Sequence, residues 1–207
     1  GVFSFGETQF YGSIPGVGLH PAGSGWPNSL AAPIVGMVPS HDDKGYFMVA
    51  SDGGVFAFGD AHFAGSCPTI GGCSGAAVAV IPDHTGNGYW VVTSTGDVYA
   101  FGDAPDLGAP GHGIVTSAAA SPNGTGYWVL LNDGEVFSYG GAAPLGSPDA
   151  TDFDGLDFAS AIFPTVDGGG FWVSSAQGVI FNFGDAPDDG GMGGSHLNGS
   201  IVAATGF

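Results

Sequence analysis

Three observations predict an all-β fold assembled from copies of one small unit. A block that opens on Gly-aromatic-aromatic and closes on aromatic-Gly recurs four times, a tight-turn signal splits each block into two β-rich runs, and glycine (41) and proline (14) punctuate a chain that is still 43% hydrophobic.

The four blocks align without gaps. Gly45–Asp60 reads GYFMVASDGGVFAFGD, Gly88–Asp103 GYWVVTSTGDVYAFGD, Gly126–Gly141 GYWVLLNDGEVFSYGG and Gly170–Asp185 GFWVSSAQGVIFNFGD. The chain opens on the second half of a fifth copy, GVFSFGE at Gly1–Glu7. In each block the two runs, strands B and C, flank a turn such as Ser51–Gly53 or Asn132–Gly134, which signals a two-residue hairpin needing positive φ. Ahead of each hairpin a short run stops in or near proline: Ile34–Val38, Val78–Ile81, Ile114–Ala120 and Ala159–Phe163. This is strand A, and proline ends it because it cannot donate to a ladder. After each aromatic-Gly comes a small segment such as Ala61–Ser66 (AHFAGS), read as a short outer strand D.

Strands B and C are apolar at almost every position, Tyr89, Trp90, Val91 and Val92 in a row for example, so both faces of each sheet must be covered. Sheets packed face to face around an axis meet that demand. Four strands at a period of about 40 to 45 residues match a propeller blade, whereas a two-sheet sandwich rarely repeats one motif at a fixed interval. The predicted fold is an all-β, five-bladed β-propeller in a single domain over residues 1–207, with blades at about 34–66, 76–110, 114–148 and 158–192, and a closing blade from 201–207 plus 1–13.

The C-strand aromatics Phe56, Tyr99, Phe137 and Phe181 lie 43, 38 and 44 residues apart. The junction through the termini, from Phe181 to Phe207 and from Gly1 to Phe3, is shorter than a unit by roughly one turn and one strand. Ile201–Phe207 (IVAATGF) therefore reads as strand A of the blade whose C and D strands are N-terminal, giving a split, three-stranded closing blade in which this segment pairs with Gly1–Phe5. The absent strand leaves backbone that another chain could take up, so self-association at the closing blade is an expectation.

Composition removes several function classes. Lys44 is the single basic residue besides the histidines, and 19 carboxylates bring the formal charge to -18. Nucleic acid is excluded as a partner, because a phosphate backbone needs several Lys or Arg contacts, and anionic membrane surfaces are disfavoured for the same reason. No apolar run approaches the roughly 18 to 20 residues of a membrane span, so membrane insertion is not expected. The field favours cations and neutral polar ligands. The sequence opens at Gly1 without a Met or a leader, as expected of a processed or trimmed form. Cys67 and Cys73, in CPTIGGC, have no second Cys pair at zinc-site spacing. A local disulfide is favoured over two reduced thiols, and it points to a secreted or cell-surface protein.

The repeated GYW-V-S-DG-VF-FGDA pattern, over nearly the whole chain, resembles a tandem repeat of actinobacterial secreted and cell-surface proteins that includes propeller-like accessory modules. The half-motif G-x-V-[FY]-x-[FY]-G is similar to the blade motif of the regulator of chromosome condensation repeats and of secreted β-lactamase inhibitory propellers, which have more blades. The five-fold count and split closing blade are similar to tachylectin-type lectins, whose sugar sites recur between blades; their loop residues have no counterpart here. All three resemblances imply binding rather than catalysis.

Glu7, Asp60, Asp103 and Asp185 each follow an FG. Repeated carboxylates could hold Ca²⁺ or sugar hydroxyls, but capping of a turn that every copy needs is the favoured reading. The least repetitive segments are the D-to-A loops: Ile14–Pro33 with His20 and Trp26, the cysteine loop, the stretch with Asp149, Asp152, Asp154 and Asp157, and Ser195–Ser200 with His196, while His112 lies in the remaining loop. Loops on a rigid scaffold carry function, so Trp26, His20, His112, His196 and Asp154 are the candidate ligand-binding residues. Trp26 either offers a platform for a sugar ring or plugs the top of the core. His20, His112 and His196 would make a transition-metal site if they converged, although solvated loop histidines are the favoured reading. No cofactor is otherwise expected, and no GxSxG, catalytic Cys-His pattern or phosphate loop occurs. The expected function is a non-catalytic extracellular binding module for a glycan or protein, using the D-to-A loop face. A metal-dependent hydrolase or oxidase and a structural, self-assembling spacer are the alternatives.

Overall fold

The computed structural model describes residues 1–153, 157–201 and 204. The chain falls into two compact units, Gly1–Thr93 with Val98–Asp106, and Ser94–Asp97 with Leu107–Phe207. Each unit holds two three-stranded antiparallel sheets whose strands follow one another in chain order. In the first unit these are β1 (Ile34–Pro39), β2 (Gly45–Ala50) and β3 (Val55–Gly59), then β4 (Ala77–Pro82), β5 (Tyr89–Thr93) and β6 (Val98–Phe101). In the second they are β7 (Val115–Ala120), β8 (Gly126–Leu131) and β9 (Val136–Gly140), then β10 (Ala159–Pro164), β11 (Gly170–Ser175) and β12 (Ile180–Gly184). They are the A, B and C strands of the four blocks, and in every sheet the Gly-aromatic-aromatic strand lies in the middle.

Burial follows from that position. β2, β5 and β8 are buried along their whole length. In the first unit Phe47 and Val49 of β2 pack with Val80 of β4 and Tyr89 and Val91 of β5, and in the second Trp128 and Leu130 of β8 pack with Ile162 of β10 and Phe171 and Val173 of β11. Each first strand carries a bulge near its start, between Ile34/Gly36, Ala77/Ala79, Val115/Ser117 and Ala159/Ala161, a repeated bend that is a designed feature of the unit. The glycine that opens each middle strand is required by close approach: an added Cβ would lie 2.4 Å from the Phe58 carbonyl oxygen at Gly45 and 2.1 Å from that of Tyr139 at Gly126.

Asp60 and Asp103, two of the acids after FG, turn onto the A-to-B turn. Ser40 Oγ donates to Asp60 Oδ1 at 3.3 Å, and Thr85 Oγ1 donates to Asp103 Oδ1 at 2.9 Å and to Asp83. They act as turn fasteners, as a structural need shared by the copies requires.

The predicted outer strand D is not a strand among the described residues. Three of the four D segments contain proline (Pro105, Pro144, Pro187), which cannot donate to a ladder. The segment is instead held by the indole of the middle strand: Trp90 Nε1 donates to Pro105 O at 2.7 Å, Trp128 Nε1 to Ala143 O at 2.8 Å and Trp172 Nε1 to Pro187 O at 2.7 Å. Four sheets, not five, occur among the described residues, and Gly1–Ser13 contains no strand. Ile201 N donates to Ala176 O at 2.8 Å, as the first residues of earlier A strands do, Ala77 to Ser51 and Ala159 to Asn132. The expected pairing of Ile201–Phe207 with Gly1–Phe5 rests mostly on 202, 203 and 205–207, which lie outside the described residues.

Candidate binding loop

The loop from Ile14 to Pro33 is long, rich in glycine and proline, and tied to itself. A short 3-10 turn at Pro15–Val17 opens it. His20 N then donates to Asn28 O at 3.1 Å and Leu30 N to His20 O at 2.9 Å, which brings its two arms side by side. Asn28 turns the chain with φ of 60°, a conformation Asn tolerates better than most residues. At the tip Ser29 Oγ donates to Trp26 O at 2.6 Å and meets Ser24 Oγ at 2.8 Å, while Trp26 N donates to Ser24 Oγ. The result is a Trp26 anchored through its backbone and 65% exposed, with the His20 ring 5.2 Å from the indole at a tilt of 35°. At this exposure Trp26 does not plug the core.

The remaining candidates are placed differently. His112 Nδ1 donates to Pro110 O at 2.7 Å, and the ring stands edge-on to Phe137 at 5.5 Å. An added Cβ on Gly96, in the B-to-C hairpin, would meet the His112 backbone, so this residue seats its loop on the hairpin. Cys67, Phe153 and Met192 occupy the same place over Gly53, Gly134 and Gly178. His196 lines a shallow polar cavity of about 270 Å³ with Gln177, Ser195 and Asn198. Asp149 and Asp152 cap a 3-10 turn, Asp157 accepts from Phe158 N and Gln177 N, and Asp154 lies outside the described residues. His20 belongs to the first unit, His112 and His196 to the second. Among the described residues no three His, Cys, Asp or Glu side chains stand together as a metal site.

Cys67 and Cys73 form a disulfide, closing the loop that carries the 3-10 turn Cys67–Ile70. Cys67 is fully buried in the core between the two sheets of the first unit. Replacing both cysteines by alanine is expected to cost about 2 kcal/mol from loop closure alone, read as a lower midpoint in urea. An unchanged midpoint would contradict this.

The one lysine is engaged. Lys44 Nζ lies 2.8 Å from Asp42 Oδ2, and this hydrogen bond holds the Asp42 carboxyl down to about 2. Both groups are exposed, so the pair adds little stability.

The β-propeller domain of Cps50 (Swd1) from Myceliophteria thermophila superposes with a TM-score of 0.51 at 12% identity, over 82% of this chain and 59% of that one. In fold, the chain is similar to a β-propeller. At this identity the likeness concerns the fold alone, and the chain spans 59% of the domain it matches. No family model matches the chain, and no curated protein matches it in sequence. Among the described residues no helix is long and apolar enough to cross a membrane.

Loop residues Ser24, Asn28 and Ser29, which hold Trp26 in position, were not singled out by sequence reasoning. Their signal was the turn-forming composition of GSGWPNS, which marks a turn without saying which side chain it displays.

Proposed function

We propose that the chain is a non-catalytic, extracellular binding module that takes a neutral glycan on the Trp26–His20 loop. The observation that carries this reading is Trp26, exposed, with its backbone held by hydrogen bonds to Ser24 and Ser29 and its indole beside the His20 ring. A platform ordered before the ligand arrives gives up little conformational freedom on binding, and an indole face suits the apolar face of a sugar ring. Net charge of -18, with the single lysine in an ion pair, turns away anionic ligands. The disulfide supports an oxidising compartment.

A protein ligand is the second reading, favoured by the apolar loop residues Pro21, Ala22 and Leu30, which line a cavity of about 390 Å³. A glycan array decides between them. Binding of neutral glycans is expected, with Trp26→Ala losing roughly ten- to a hundredfold in affinity and melting unchanged. An array on which wild type and Trp26→Ala behave alike would remove the glycan reading.

A further inference from the structure

Three asparagines in the sequence precede a glycine: Asn87, Asn123 and Asn198. This pair carries a chemistry of its own. The glycine amide nitrogen attacks the asparagine Cγ, and without a Cβ on the attacking residue the two atoms reach bonding geometry with little hindrance. The new N–Cγ bond closes a five-membered succinimide, the Cγ–Nδ2 bond breaks, and the side-chain nitrogen leaves as ammonia. Water then opens the ring at either carbonyl, giving aspartate or isoaspartate, with no oxidant or enzyme. The fold selects among such pairs, because the attacking N–H must be released from other bonds and the side chain must turn back onto it.

Two of the pairs are locked. Gly124 N donates to Ser121 O at 2.7 Å, while Asn123 Oδ1 accepts from Ser121 Oγ at 2.7 Å, Thr125 N at 3.0 Å and Thr125 Oγ1 at 2.7 Å. The nucleophile is occupied and the side chain is held away from it. Gly88 N donates to Asp83 Oδ1 at 3.3 Å, and an added Cβ on Gly88 would lie 2.4 Å from Ala104 N, so the backbone after Asn87 is wedged in place.

Asn198 is the opposite case. It stands in a short arch tied at both ends to the β11–β12 hairpin: Leu197 Cδ1 would lie 3.4 Å from a Cβ on Gly178, and Ile201 N donates to Ala176 O at 2.8 Å. Between these anchors Asn198, Gly199 and Ser200 are exposed. Among the described residues neither the Asn198 side chain nor Gly199 N has a hydrogen-bond partner, and nothing lies within 4 Å of a Cβ on Gly199.

We propose that Asn198 is a site of spontaneous deamidation and isomerisation, which converts while Asn87 and Asn123 keep their amides. The product matters to its surroundings. Asn198 lines the polar cavity with Gln177, Ser195 and His196, none of them acidic, and conversion puts a carboxylate into that wall. Isoaspartate also adds a methylene to the backbone of the arch that brings Ile201 to Ala176. The loop thus carries a slow, one-way change of charge and length.

The test incubates the whole chain at neutral pH beside peptides with the sequences of His84–Trp90, Ser121–Tyr127 and Ser195–Ile201. Conversion is read by peptide mapping in a mass spectrometer and by enzymatic methylation of isoaspartate. Asn198 in the folded chain is expected to react within about threefold of its peptide's rate, and Asn87 and Asn123 at least roughly tenfold more slowly than theirs. In urea all three should approach the peptide rates. Gly199→Ala, which meets no neighbour in the fold, should slow Asn198 by about tenfold or more, because the new methyl hinders the attacking nitrogen. An Asn198 amide that survives while its peptide is consumed would overturn the proposal. So would Asn87 or Asn123 reacting as fast as Asn198 in the folded chain, or protection of those two that persists in urea.

Discussion

Gly126→Ala is expected to cost about 4 kcal/mol or more, a large part of the roughly 5 to 15 kcal/mol that holds a domain folded. Gly126 opens β8 and pairs with Gly140 of β9. A Cβ there would lie 2.1 Å from the Tyr139 carbonyl oxygen, 2.6 Å from Gly141 N and 2.7 Å from Ala142 N. All three neighbours are backbone, so no rotamer change relieves the clash, and β8 must lift from β9. That movement also strips the Gly126 carbonyl of the hydrogen bonds it accepts from Ser121 N and, at 3.0 Å, Ser121 Oγ. Urea unfolding should show the loss directly, whereas Gly199→Ala, where nothing lies within 4 Å of the new atom, should stay within about 0.5 kcal/mol of wild type. A loss below about 1 kcal/mol at Gly126 would mean that the strands do not approach this closely.

The same contact explains why so much of the fold was legible. Gly-aromatic-aromatic, turn, aromatic-Gly is a pattern in which nearly every position has a steric or burial reason, so strands A, B and C fall where the repeat puts them. Strand D was over-read because position was mistaken for pairing: Pro105, Pro144 and Pro187 sit where a strand would be, but the segment is fastened by an indole rather than by a ladder. In the loops, residue type was legible and contact was not. Trp26 and His20 were recognisable candidates, yet their approach to 5.2 Å depends on hydrogen bonds between the arms of a loop with no repeat to compare it to. His112 shows the opposite failure. It shares its place over a hairpin glycine, where it presents its backbone, with Cys67, Phe153 and Met192, four residue types with no common chemistry that the repeat could align.

The indoles of the middle strands carry two separable contributions, and Trp128 allows them to be measured apart. Its side chain is 1% exposed, packs with Leu130, Ala159 and Ile162, and lies 5.7 Å from the Phe171 ring. Trp128→Ala removes that volume from a core that cannot close around the gap, for an expected loss of about 3 to 5 kcal/mol. Trp128→Phe keeps most of the apolar contact and removes the donor to Ala143 O, for a loss of about 1 to 3 kcal/mol. The first sheet carries Phe47 at this position with no indole, so a phenylalanine ring is compatible with the site. Trp172 donates in the same way but is only partly buried, and Trp172→Ala should cost less than Trp128→Ala. The three midpoints in urea therefore rank the alanine change at Trp128 lowest. If Trp128→Phe were as damaging as Trp128→Ala, the bond to the D segment, and not the packing of β8 against β10 and β11, would be what holds this sheet pair together.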